Sequence, residues 1–133
     1  MRLVIPVEPM GAVRMTGRGK WIKPVARRYL DYKIVVGWEA KQQAKLEVPI
    51  RTPIRIRELI FVMPIPKSRA RSVKPGDYHT SKPDIDNLFK GVTDSLNGIV
   101  WEDDSLICEI GRQVKIYGEE PRIEIVIEEA NAS

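Results

Sequence analysis

Lys82-Pro83-Asp84-Ile85-Asp86-Asn87-Leu88-Phe89-Lys90 opens the stretch on which the reading of this chain turns, and Trp101-Glu102-Asp103-Asp104-Ser105 closes it. Pro83 disfavours helix at Lys82 and suits a helix that begins just after it. From there Ile85, Leu88, Phe89, Val92 and Leu96 recur at three- and four-residue steps. They predict an amphipathic helix over about Asp86–Asn97, with Ile85 and the rest of the stripe committed to a core. Asn97-Gly98 predicts a left-handed C-cap. Asp84 and Asp86 then project from the opposite side of the helix start, and Asp86, Lys90 and Asp94 share one polar face at i, i+4 and i+8.

The segments on either side say what that helix packs on. Downstream, Ser105 to Tyr117 reads as a strand with Leu106, Cys108, Ile110 and Val114 buried and Gly111 as a candidate bulge. After the turn Gly118-Glu119-Glu120-Pro121, the alternation in Arg122–Ile127 predicts a strand pairing back as a hairpin. Upstream, Ile54–Met63 is a strong strand candidate, and residues 64–83 form a Pro-, Ser- and Lys/Arg-rich connection. A longer helical pattern covers about Ala26–Glu47, with Leu30, Ile34, Val35, Trp38 and Lys45/Leu46 tracing one face. Arg2–Val7 predicts a first strand, and Gly11–Lys23 a hairpin or loop rich in basic residues. Strands and two helices in this order imply one α+β domain over residues 1–133, a mixed β-sheet packed with two main helices.

Composition narrows the chemistry. A chain of 133 residues that is 43% hydrophobic can bury a modest core without disulfide or metal staples. One cysteine, Cys108, and one histidine, His79, exclude a disulfide framework and a four-ligand Cys/His zinc site. They also make a Cys-His or Ser-His nucleophilic centre a poor fit. No signal-like leader and no run of about 18–20 apolar residues occurs, so a soluble, cytoplasmic protein is expected. Cys108 reads as a small core residue, His79 as a loop residue rather than a general base, and Trp38 and Trp101 as buried in core or interface. Trp21 is a candidate for stacking on an unpaired base.

The net charge of +4 conceals an asymmetry. Residues 1–82 carry 18 Lys and Arg against 6 Asp and Glu, whereas residues 83–133 carry 4 against 12. A basic half of this kind suits a polyanion such as nucleic acid. Lys67, Arg69, Arg71, Lys74 and Lys82, with Arg14, Arg18 and Lys20 nearer the N-terminus, are the candidate phosphate contacts.

In the acidic half the carboxylates are clustered. A helix from Asp86 to Asn97 spans about 17 Å at about 1.5 Å per residue. Residues 98–103 can return roughly 20 Å at about 3.3 Å each, so Asp103 or Asp104 is able to lie beside Asp84 and Asp86. Three or four carboxylates with Lys90 would suit a hard divalent cation, Mg²⁺ or its substitute Mn²⁺. The plain structural alternative is that Asp84 and Asp86 cap the helix and Lys90 pairs with Asp86 or Asp94. An EF-hand is excluded, because its glycine position holds Phe89 and its final glutamate position Ser95. No Walker A or dinucleotide-binding glycine pattern is present.

Lys82–Lys90, the following Asp94-Ser95-Leu96 and Trp101–Ser105 together resemble the hallmark of the RusA family of Holliday junction resolvases, found in bacteria and their prophages. Its pattern is [K/R]-P-D-[I/L]-D-N-L-x-K, then a hydrophobic helix with an Asp, then W-x-D-D-[S/A]. The resemblance implies a RusA-like fold and a Mg²⁺-dependent endonuclease that resolves four-way DNA junctions. It implies that Asp84, Asp86 and Asp104 bind metal and that Lys90 is the catalytic lysine. Asp103 is the less expected ligand, since neighbouring side chains in an extended segment point to opposite faces. It also implies a homodimer, because two symmetric nicks need two sites on a twofold substrate. The alternatives are a metal-dependent nucleotidyltransferase, which lacks a nucleoside-triphosphate loop here, and a non-catalytic basic nucleic-acid-binding protein.

Overall fold

Residues 1–14 and 23–130 are described by the structure, a computed structural model. Alternating and then continuous aliphatics along Ile54–Pro64 make the interior strand of the sheet, β2. Around it stand β1 (Arg2–Ile5), β3 (Ile107–Gly118) and β4 (Arg122–Glu129), with helices α1 (Pro24–Ala44) and α2 (Ile85–Leu96). Single turns of 3-10 helix form at Lys67–Arg69 and Asp104–Leu106. The strand order is β1-β4-β2-β3, with β3 parallel to β2 and the other pairs antiparallel. The expected mixed α+β architecture with two main helices is therefore present.

The hairpin expected between β3 and β4 does not form. β4 crosses to the far side of β2 and pairs with β2 and β1. Its alternation explains the choice: Ile123, Ile125 and Ile127 are all buried at this interior position, and as partner to β3 it would lie at an edge. β3 takes that edge instead, so Cys108 and Ile110, expected in the core, are exposed. The expected bulge at Gly111 lies on the neighbouring strand, where β2 skips register between Ile56 and Glu58. Gly111 sits against the Arg57 carbonyl, where a Cβ would collide.

α1 buries a different face from the expected one. Ala26, Tyr29, Tyr32, Val36, Gly37 and Ala40 face inward, while Ile34, Val35 and Trp38 are exposed, Trp38 by 60%. Shape outweighs hydropathy here. A Cβ on Gly37 would lie 2.5 Å from Ile99 Cδ1 and 3.2 Å from the Ser95 carbonyl oxygen, so only a narrow face lets α1 approach α2. The helix ends at Ala44, with Lys45 in the left-handed conformation.

α2 starts and stops within a residue of expectation, and Gly98, at φ 77°, takes the left-handed position after it. Leu88, Val92 and Leu96 join Trp101, Val36 and the buried sheet residues in one core. Ile85, expected in that core, is 36% exposed, because it precedes the first full turn and looks out beside the loop at Tyr78. Residues 66–83 are more ordered than composition suggested. Gly76 and His79 donate backbone N–H groups to Tyr117 and Lys115 of β3, and Tyr78 bridges to Ile116.

Candidate active site

The N-terminus of α2 is fixed from below. Lys115, on β3, donates through Nζ to the carbonyls of Ser81 (2.7 Å) and Pro83 (2.8 Å). This holds the backbone that enters the helix and sets the direction of Asp84. Asp84 occupies the N-cap position with extended backbone, but its carboxylate makes no capping hydrogen bond. It pairs instead with Lys82 Nζ at 3.0 Å and remains largely exposed. Asp86, in the first turn, accepts from the N–H of its neighbour Asn87 (2.9 Å).

One turn further on, Lys90 and Asp104 line a common cavity of about 260 Å³ with Phe89, Thr93, Ile107 and Ile110. Asp104 is held by Asn97, whose Nδ2 donates to Oδ2 at 3.3 Å. The buried Trp101 donates from Nε1 to Asn97 Oδ1 at 2.8 Å and orients that amide. Asp103 turns the other way. Its carboxylate accepts from the Ser105 N–H at 3.0 Å and caps the short turn that follows. Those Ser105 hydrogen bonds hold its carboxyl below the usual carboxylate range. Asp94 is engaged elsewhere, accepting from Tyr29 Oη at 3.2 Å. Burial, and then the Asp94 charge, raise the Tyr29 phenol far above its ordinary value, so it stays a donor.

Lys90 and Asp104 thus line one cavity, whereas Asp84 lines a second cleft along the α2–β3 seam and Asp86, on the first turn of α2, lines neither. No group of three or more Asp, Glu, His or Cys side chains close enough to hold an ion occurs among the described residues. Like charges repel at short range, and each carboxylate turns to its own nearest donor. The donors on offer are all oxygens, which suits a hard cation. They fit one that keeps some of its waters and takes substrate phosphate oxygens beside the carboxylates, not an all-protein cage.

The described basic candidates lie on the segments that precede α1 and α2. Ala12 donates its N–H to the Asn87 carbonyl (3.1 Å), and Arg14 follows two residues later, exposed. Lys67, Arg71, Lys74 and Lys82 are exposed. Arg69 donates to the Tyr117 hydroxyl at 3.1 Å and lies over its ring. Arg18, Lys20 and Trp21 lie outside the described residues.

Comparison with known proteins bears on this site directly. The family model described as endodeoxyribonuclease RusA matches residues 6–128, both acidic segments and both helices included. The chain belongs to the RusA family. Membership makes it a nuclease by descent, one that cuts within DNA strands. The uncharacterized protein YqaN of Bacillus subtilis (strain 168) is 30% identical over 132 residues, 93% of this chain and 88% of that protein. No helix among the described residues is long and apolar enough to cross a membrane.

Two residues of this RusA-family site lie outside the sequence reading of the site: Asn97, which reads as a helix end next to Gly98, and Lys115, whose signal is a lone cation between the apolar residues Val114 and Ile116. Trp101 belongs to the quoted W-x-D-D pattern, and the structure adds its bond to Asn97.

Proposed function

We propose that this chain is a Mg²⁺-dependent endonuclease that resolves four-way DNA junctions by paired, symmetric nicks in recombination and repair, with Mn²⁺ able to substitute. The observation that carries the reading is the cavity shared by Lys90 and Asp104 on the helix that also presents Asp84 and Asp86, in a chain of an endodeoxyribonuclease family. Asp84, Asp86 and Asp104 are the oxygen donors for the cation, which when bound supplies water activation and charge neutralisation at the phosphate.

In this account Lys90 presents its ammonium to the charge that develops on the phosphate oxygens. Water attacks phosphorus, the bond from phosphorus to the 3′ oxygen breaks, and that oxygen leaves with a proton. The products carry 5′ phosphates and 3′ hydroxyls, which a ligase can rejoin. Arg14, Lys67, Arg71, Lys74 and Lys82 contact DNA phosphates and recognise the branch by shape. A homodimer supplies one site for each of the two opposed strands.

Single substitutions at the carboxylates test this. Asp84→Asn, Asp86→Asn and Asp104→Asn are expected to abolish nicking while junction binding persists or tightens. Asp103→Asn, which can still cap Ser105, retains nicking. Unimpaired cleavage by the Asp86→Asn and Asp104→Asn proteins would overturn the assignment.

A further inference from the structure

α1 turns a strongly apolar face to solvent. Ile34 is 69% exposed, Val35 45% and Trp38 60%. Ile34 and Trp38, four residues apart, are neighbours along the helix surface, and Val35 stands beside them. Single exposed apolar residues are ordinary, but a contiguous set of this kind marks an interaction site. Two contacts fix the orientation of the helix. Gly37 packs so closely on Ile99 and the Ser95 carbonyl that a Cβ would not fit. Gln43 ties the other end to β1, accepting from the Val4 N–H at 2.8 Å and donating to the Val4 carbonyl at 2.6 Å. The apolar set is therefore held outward on a rigid support.

Its place and its charge narrow what covers it. α1 leans on β1, at one edge of the sheet, whereas the Lys90–Asp104 cavity and the Asp84 cleft lie towards β3, at the opposite edge. Within residues 23–45 the exposed cations are Lys23, Arg27, Arg28, Lys41 and Lys45, and the exposed acid is Asp31. The cations stand towards the two ends of the helix, with the apolar set between them. DNA phosphates would satisfy the cations but leave the indole and the two aliphatic side chains uncovered. A second copy of the same face brings the same excess of cations. Whether two such helices run parallel or antiparallel, a cationic end meets a cationic end, and like charges across an interface are costly.

We propose that this face of α1 docks an acidic amphipathic helix of a partner protein. The apolar residues of the partner cover Ile34, Val35 and Trp38, and its carboxylates meet the cations at the two ends of α1. Recognition of this kind reads apolar anchors at three- and four-residue steps, and a central Trp with a charged surround is the usual make-up of an energetic hot spot. A partner held here leaves the α2–β3 seam open, so docking and the chemistry of the site are compatible. The inference stands apart from the nuclease reading above.

The test titrates the full chain, by fluorescence anisotropy at low salt, with a labelled synthetic peptide in which Leu and Phe recur at three- and four-residue steps between Glu residues. The same peptide with Lys in place of every Glu is the control. The acidic peptide is expected to bind and the basic one not to bind. Trp38→Ala and Ile34→Asp, both at exposed positions, weaken the acidic peptide about tenfold, with the unfolding midpoint unchanged. Lys41→Glu weakens it several-fold and flattens its salt dependence. No binding of the acidic peptide, equal binding of both peptides, or binding indifferent to Trp38→Ala and Ile34→Asp would overturn the proposal. Two further measurements name the other occupants. Self-association in sedimentation that Ile34→Asp abolishes assigns the face to a second copy, and a loss of four-way-junction affinity in Trp38→Ala and Ile34→Asp assigns it to DNA; either result overturns the proposal too.

Discussion

Asn97 holds Asp104: its Nδ2 donates to the Asp104 carboxylate at 3.3 Å. The direction of that amide is fixed by chemistry, because Trp101 Nε1 only donates and binds Asn97 Oδ1 at 2.8 Å. Asn97→Ala strands the buried Trp101 N–H and is expected to cost about 1–3 kcal/mol. It also frees Asp104, and by analogy with residues that orient metal ligands, cleavage falls about 10–100-fold. Asn97→Asp keeps an acceptor for Trp101 but sets two carboxylates against each other. Thermal unfolding and junction-cleavage rates separate the two effects: the aspartate variant loses activity as deeply with a smaller loss of stability.

Lys115 does the corresponding work for Asp84. Lys115→Met removes two charge-assisted hydrogen bonds to the Ser81 and Pro83 carbonyls, each worth about 1.5–3 kcal/mol at most. The expected outcome is a lower unfolding midpoint and a fall in cleavage of more than tenfold. Cleavage at the wild-type rate would show that the backbone before α2 holds its course unaided.

His79 makes a prediction about pH. Its folded-state value lies below the ordinary one, through burial and then Lys115, while the unfolded chain titrates near 6.5. Above about pH 6.5 neither state binds the proton, and His79 adds no pH dependence. As pH falls below about 6.5 the unfolded chain takes the proton first, so native stability declines until the folded value is passed. His79 is the chain's one histidine. A His79→Asn protein is therefore expected to show a shallower fall in unfolding midpoint than wild type between pH 7 and pH 5.5.

The helix contact at Gly37 predicts a packing penalty. Gly37→Leu drives a side chain towards Ile99 and the Ser95 carbonyl and is expected to cost about 1–3 kcal/mol. Denaturant unfolding measures it directly, and an unchanged midpoint would mean that α1 moves away from α2 at no cost.

These residues also mark where the sequence is legible. α2 is legible because one stripe of large aliphatics recurs with the helical period and a proline and a glycine punctuate its ends. The acidic segments stand out as an ordered pattern of unusual residue types. The buried face of α1 is not legible, since Tyr29, Tyr32, Gly37 and Ala40 are chosen by fit against α2 and the sheet, while the more apolar Ile34 and Trp38 are left outside. The place of β4 is hidden for a related reason. Its alternation says that it is a strand, but a short turn after β3 suggests a hairpin, and only burial of Ile123, Ile125 and Ile127 between two neighbours decides otherwise. In the site, the positions of Asp84 and Asp104 depend on Lys115 and Asn97, residues distant in sequence or ordinary in type.

The central claim is tested most directly by incubating the purified chain with a labelled synthetic four-way junction in Mg²⁺, beside a linear duplex of the same sequence. The account predicts paired nicks at symmetric positions on opposed junction strands, ends that a ligase reseals, no cutting of the duplex, and no cutting of either in EDTA. Tight binding of the junction with no nick in Mg²⁺ or Mn²⁺ would contradict it.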